Sequence, residues 1–330
     1  MSSRPHQPSS PSAASPASPR HRWPHRLAIV TAAATLLLIF VGGLVTNTGS
    51  ALAVPDWPTT FGHNMFLYPW SQMVGGIFYE HSHRLIGSAV GMLTVALAVA
   101  LWLTEERRWV RRLGVVAVVA VVIQGILGGM RVVLLEHNLA IIHGCVAQAF
   151  LAVLVSLAVV TAESWERAAP VEDPGRVRLL ALLTAPAVYV QLVFGALLTH
   201  TGSRLDAHLS FAAVVTLLVG LLAGNVLWLS PAPAELRRPA RLLLVLLALQ
   251  LALGTGAFLW RFTALSAALP PALGLAVLTT HRVTGAVVWA TSVVLTLRIV
   301  RCVGEPRTAR AGDRAFSESL AADSGRQVLA

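Results

Sequence analysis

The chain contains no lysine; all 25 of its basic residues are arginines, set against 15 acids. Charge of either sign is scarce, at 12% of 330 residues, where a soluble domain carries about 25%. Hydrophobic residues make up 55% of the chain, and mean hydropathy is +0.70. So few charged groups cannot dress the surface of a water-soluble fold, which excludes that class. Cysteine is nearly absent: Cys145 lies inside one apolar run and Cys302 at the end of another, so a disulfide framework is excluded too. The two-residue alternation of half-buried strands is missing. A formal charge of +10 raises the question of nucleic acid, but the arginines are dispersed between apolar runs rather than gathered into a basic domain, and no nucleic-acid partner is expected.

What the chain does have is eight long apolar runs, at about 27–45, 77–103, 113–133, 138–160, 177–199, 206–229, 240–260 and 272–297. Each is near the roughly 20 residues that a helix needs to cross the hydrocarbon core of a bilayer. Residues 1–26, rich in Ser, Pro, Ala, His and Arg, read as a disordered cytoplasmic tail. Ser50-Ala51-Leu52-Ala53 looks like a signal-peptidase site, yet the run before it exceeds the roughly 7–15 apolar residues of a cleaved signal, so it reads as a retained span. Segments 1–28, 104–113, 162–179, 231–241 and 298–330 hold 4, 4, 3, 3 and 6 arginines, while 47–80 holds none. The positive-inside rule then puts both termini in the cytoplasm and the 47–79 segment outside. That outer segment carries Trp57, Phe61, Phe66, Tyr68 and Trp70 and reads as a lid.

An internal repeat fixes the architecture further. Thr46-Asn47-Thr48-Gly49-Ser50-Ala51-Leu52 recurs as Thr199-His200-Thr201-Gly202-Ser203-Arg204-Leu205, and Gln124-Gly125-Ile126-Leu127-Gly128 as Gln250-Leu251-Ala252-Leu253-Gly254. Four spans per repeat is an even number, so the two copies run parallel. The expected fold is an all-α integral membrane bundle of eight helices in two parallel four-helix repeats. The layout is a tail (1–26), an N-terminal repeat (27–160), a cytoplasmic linker (161–176), a C-terminal repeat (177–300) and a second cytoplasmic tail (301–330).

Four histidines mark every second span at similar depth: His83, His143, His208 and His281. An ionisable residue in the hydrocarbon is expensive and is a functional candidate by default. Two histidines per repeat suit axial ligation of haem iron between neighbouring helices; zinc would recruit more ligands, with cysteine or carboxylate among them. Small residues follow each histidine by four positions (Gly87, Ala147, Ala212, Gly285), which would let a flat macrocycle approach. Five arginines lie on the outer side, Arg84, Arg131, Arg204, Arg261 and Arg282, and suit an anionic ligand such as haem propionates. Histidines 63, 81, 137 and 200 lack the repeat and read as interfacial. Glu80 precedes His83 by three residues, hence shares its helical face. It has no counterpart before His208, which hints at one reacting site and one that only holds.

These residues resemble the haem A synthase family: Thr48-Gly49-Ser50 with Pro55-Asp56-Trp57-Pro58, Glu80-x-x-His83-Arg84, His143, His208 and His281-Arg282, in order through the membrane portion. The resemblance implies a multi-pass protein of the cell inner membrane that oxidises a ring methyl of haem O to the formyl group of haem A, for terminal oxidase biogenesis. It implies haem b on His208 and His281 as cofactor, with Arg84, Arg204 and Arg282 among the cofactor-binding residues. Haem O as substrate falls to His83, His143 and the catalytic Glu80, and a haem O synthase is the natural partner. Many members carry a cysteine pair in the first outer loop; here Val54 stands just before Pro55 and the loop has no cysteine. Two other functions use the same features: a di-haem b-type electron carrier, with all four histidines as fixed ligands, and a haem-handling transporter or assembly factor.

Overall fold

The computed structural model describes residues 22–168, 170–171, 175–229 and 232–302. Eight long helices dominate it: α1 (Trp23–Asn47), α2 (Gly76–Thr104), α3 (Arg108–Leu134), α4 (His137–Val160), α5 (Arg176–Thr201), α6 (Leu205–Trp228), α7 (Ala234–Phe262) and α8 (Pro271–Cys302). All eight are long and apolar enough to cross a membrane, and among the described residues no strand forms, only isolated bridge residues such as the pair Thr60 and His63. Helices prevail because lipid offers no partner to a backbone N–H or C=O, so each span must satisfy its own. Hydroxyls inside the spans follow the same rule: Thr31, Thr35, Thr94, Ser156, Thr184 and Ser292 each donate to the carbonyl four residues back.

Both halves pack alike. In the first, α1 lies against α2 and α4, and α3 against the same two; in the second, α5 lies against α6 and α8, and α7 against the same two. The seam joins α1 to α8, α4 to α5, and α4 to α8. Exchanging the halves maps the first of these contacts onto the second and the third onto itself, as a pseudo-twofold axis along the bundle requires. Polar side chains pin the seam. Tyr189 donates to the Cys145 carbonyl (3.1 Å), Trp289 Nε1 to the Gln148 carbonyl (2.9 Å) and Asn47 Nδ2 to Thr279 Oγ1 (3.0 Å). Helix α8 is the hub, with 61% of its most apolar stretch buried, whereas α7 buries 6% and faces outward.

The helix ends depart from the expected layout in three places. Helix α1 starts at Trp23, inside the stretch read as tail, because Pro24 occupies its first turn, where a missing N–H costs nothing. His25 Nδ1 lies 2.9 Å from the Ala158 carbonyl and ties that turn to α4. The 161–176 linker carries a helical turn at Glu163–Glu166, held by Arg298 Nη2 on Ser164 Oγ (2.8 Å) and Arg301 Nε on the Trp165 carbonyl (3.1 Å). Helix α8 runs through Arg301 and Cys302, where the Cys302 carbonyl accepts from Val171 N–H at 2.8 Å. The rest of the two expected tails, 1–21 and 303–330, lies outside the described residues.

Candidate functional site

The four histidines occupy one station in four equivalent helix pairs. Each even-numbered helix carries one, and its ring rests on a glycine of the helix before it. A Cβ built on Gly42 of α1 would stand 3.0 Å from Cε1 of His83 on α2. The matching distances are 3.4 Å for Gly128 and His143, 3.4 Å for Gly195 and His208, and 3.1 Å for Gly254 and His281. In every case Nδ1 is the next-nearest ring atom, so the Cε1–Nδ1 edge faces the glycine. Nδ1 of His83, His143 and His281 is buried while each residue is only half-buried, which leaves the Nε2 side as the accessible one. Among the described residues no hydrogen bond engages Nε2 of His83, His143 or His208, whereas Nε2 of His281 lies 3.4 Å from Gln250 Nε2.

The rings of His83 and His143 have centroids 6.5 Å apart and planes inclined by 73°. Two metal–nitrogen bonds of about 2 Å each fill much of that gap, and the ring half-widths take up the remainder. Among the described residues no cluster of three His, Cys, Asp or Glu side chains is placed to hold a metal ion. Two axial imidazoles with a macrocycle supplying the other ligands is therefore the arrangement these residues fit. His208 and His281 lie within electrostatic reach of each other in the second half.

Among the described residues the long connection belongs to the first half: the 48–75 segment between α1 and α2 packs on α2 and α3 beside the pair His83–His143 and is held by one turn of α2. Glu80, 5% exposed, accepts from the Val54 N–H at 2.9 Å and pairs with Arg84 at 2.9 Å. Arg84 Nη1 donates to the carbonyls of Asp56 (2.6 Å) and Thr59 (3.1 Å), and Nη2 to that of Val54 (3.0 Å). His81, 1% exposed, meets Thr60 Oγ1 through Nδ1 at 3.1 Å and packs against the Tyr68 ring. Trp57 lies flat on α3, where a Cβ at Gly129 would stand inside its indole ring. Within the lid, Asp56 accepts from the N–H groups of Phe61 and Gly62 and the Thr59 hydroxyl. Burial works to raise the Asp56 pKa, but these three donors outweigh it and hold the carboxyl below its ordinary value.

The arginines divide into two groups. Arg84, expected as an anion ligand, commits both Nη atoms to the lid clamp, because the loop turns three carbonyls toward it. Arg131 on α3 stands within electrostatic reach of His83, His143 and Glu80, and no hydrogen bond or ion pair engages it among the described residues. Arg282 follows His281 on α8 but runs across the seam, its Cδ 3.6 Å from a Cβ position on Gly43 of α1. It shares an acid-free region with Arg261 and His200. Arg204 caps α6 in the left-handed region (φ 69°), and its side chain is exposed.

Two readings need revising. Of the small residues one turn past the histidines, Gly87 and Gly285 face neighbouring helices rather than open space for a macrocycle: Leu38 lies over Gly87, and Gln250 and Leu192 over Gly285. His81 is a buried lid contact, not an interfacial side chain. The ring-bearing glycines went unread as site residues, although Gln124–Gly128, Gln191–Gly195 and Gln250–Gly254 share one spacing that marks them.

Known proteins match this chain along much of its length. Heme A synthase of Shouchella clausii is 32% identical over 194 residues, covering 56% of this chain and 62% of that protein. Heme A synthase of Alkalihalophilus pseudofirmus is 30% identical over 132 residues (39% and 43%), and that of Bacillus licheniformis 30% over 184 residues (54% and 59%). The matches thus span less than two thirds of these relatives' own lengths. A family model described as cytochrome oxidase assembly protein, COX15-CtaA, matches residues 25–207, which takes in the lid, Glu80, His83 and His143. That match exceeds half of the chain, and the protein belongs to the COX15-CtaA family of cytochrome oxidase assembly proteins.

Proposed function

We propose that this multi-pass membrane protein is a haem A synthase, oxidising a ring methyl of haem O to a formyl group. The observation that carries this reading is one histidine geometry in both halves, with a lid and a buried carboxylate over only one of them. Bound haem supplies the redox chemistry; the chain supplies position, a proton site and a dry pocket. His83 and His143 hold the substrate haem O, and His208 and His281 hold haem b. Glu80, three residues before His83, is the carboxylate that takes up a proton beside the reacting edge, Oε1 facing Arg84 and Oε2 the Val54 N–H. The lid keeps water from that edge, and its clamp uses the backbone of Val54, so it closes without the loop cysteines of many relatives. Arg131 and Arg282, the latter with Arg204 at the rim, meet the propionates; Arg84 acts through the lid.

The arginine distribution supports a lid on the outside and both termini in the cytoplasm, and the proposed membrane is the plasma membrane. Haem O arrives from a haem O synthase, with which a complex is expected, and the oxidation needs an electron acceptor. The test is mass analysis of haem extracted from membranes that co-express this protein with a haem O synthase. Haem A or its hydroxylated precursor is the expected product. Haem b and unconverted haem O alone, with intact bis-histidine spectra, would instead favour a di-haem electron carrier or a haem-handling factor.

A further inference from the structure

Four residues before each ring-bearing glycine, the odd-numbered helices present Leu38, Gln124, Gln191 and Gln250. These side chains sit at one structural station. Gln250 Nε2 is 3.3 Å from a Cβ position on Gly285, one turn past His281, and Leu38 Cδ1 is 3.9 Å from the same position on Gly87, one turn past His83. The three glutamines all reach the histidine of the next helix. Gln124 Nε2 donates to the His143 carbonyl at 3.1 Å. Gln191 Nε2 donates to the His208 carbonyl at 3.0 Å and lies 3.2 Å from His208 Nδ1. Gln250 Nε2 lies 3.4 Å from Nε2 of the His281 ring.

Each of these glutamines also has a buried Oε1 with no hydrogen-bond partner, and the same is true of Nδ1 in His83, His143 and His281. Buried unpaired groups of this kind are costly, so a state that pairs them is favoured. Binding iron through Nε2 obliges Nδ1 to carry the proton, and turning the Gln191 amide over presents Oε1 to Nδ1 of His208, which its Nε2 now meets at 3.2 Å. A ligating histidine held this way is a firmer and more basic ligand. The backbone carbonyls of Leu38, Gln124 and Gln250 all lie near the neighbouring ring, short of hydrogen-bond geometry. What separates the four histidines is therefore the side chain, and opposite His83 it is hydrocarbon.

We infer that this station sets how firmly each histidine holds haem, and that Leu38 makes His83 the displaceable ligand of the first half. The glutamines are positioning residues for His143, His208 and His281. The inference rests on the haem-binding reading above. It explains how one half releases a product while the other retains a cofactor on the same pair of ligands.

The test swaps the two chemistries in the full chain, Leu38→Gln and Gln191→Leu, with haem loss to excess apomyoglobin followed optically and the midpoint potential of each haem titrated. The first-half haem is identified as the one missing from His143→Ala. Wild-type protein should lose its first-half haem faster than its second-half haem. Leu38→Gln should slow the first loss about tenfold and lower that haem's potential, and Gln191→Leu should speed the second by a similar factor, within the range of about 10–100-fold that such outer partners carry. If neither variant moves the loss rate of its own haem, or its potential, the inference is wrong. Finding haem b rather than haem O in the first half would overturn the proposed substrate instead, and the Leu38→Gln comparison would still decide the role of the station. A first half that binds no haem would overturn both.

Discussion

The two halves of the bundle share their helix packing, their glycine-backed histidines and the depth of those histidines, and differ in what lies above them. Between α1 and α2 stand the 28 residues 48–75, folded into a lid; the equivalent connection between α5 and α6 is Gly202, Ser203 and Arg204 alone. Glu80, Arg84 and His81 all engage the longer connection, and the second half has neither that connection nor an acid at the position of Glu80. A duplicated scaffold has thus kept one ligand geometry twice and built a covered, carboxylate-bearing site once. On the proposed function, the difference teaches that binding and reaction are separable: ligand geometry follows the repeat, and chemistry follows the lid.

The comparison breaks most sharply at Glu80. Glu80→Gln keeps the shape and the bond from Val54, so haem content in both halves should persist while product falls by about 10²–10⁴-fold, the usual weight of a positioned proton carrier. Haem extraction with mass analysis reads both quantities. If instead first-half haem disappears along with the product, Glu80 serves only the clamp. Next in size is Gly129→Ala, which drives a methyl group into Trp57 at an overpacking cost of about 1–3 kcal/mol. The lid should lift, exposing the loop to protease and lowering product, with second-half haem unchanged; an unaltered cleavage pattern would show that Trp57 does not fasten the lid.

Smaller effects sharpen the same contrast. Gly42→Ala puts a methyl group 3.0 Å from His83 Cε1 and Gly195→Ala puts one 3.4 Å from His208 Cε1, so each should perturb the absorption of its own half's haem, the first more than the second. Equal perturbation of both haems by either variant would contradict independent sites. Smallest is a pH effect confined to the lid. Because the folded Asp56 carboxyl sits below its ordinary value, its contribution is complete above the unfolded value, about 3.9, and fades as pH falls through the folded one. Hydrogen exchange at the Phe61 and Gly62 amides, corrected for intrinsic rates, should therefore be flat through neutral pH and rise only under strong acid. Asp56→Asn should raise it at neutral pH.

Much of this was legible in the sequence because lipid leaves so few options. A span needs an unbroken apolar run, so the eight runs place the helices, and the largest differences are at polar ends that the runs leave out: α1, α3 and α7 begin early, at Trp23, Arg108 and Ala234, and α8 continues to Cys302. The histidines stood out for the same reason, as polar groups where polarity is costly. The lid was visible only as a length of aromatic loop. Its order comes from contacts 21 to 30 residues apart in sequence, such as His81 with Thr60 and Arg84 with Val54, which leave no periodic trace. In sequence Arg84 looks like a ligand for an outside anion, because the backbone carbonyls it meets in the fold are invisible in a string of side chains. The glycines under the rings were hidden by company, being 4 among 25, and the Gln-to-Gly spacing was read as a mark of the repeat before it was a mark of the site.

The central claim, that each half holds its own haem and only the first holds the substrate, is tested most directly by identifying what two variants retain. His143→Ala and His281→Ala would be purified from cells making haem O, and their bound haems extracted and weighed. The account predicts haem b without haem O or haem A in His143→Ala, and haem O or its oxidised products without haem b in His281→Ala. The same mixture of haems in both variants would contradict it.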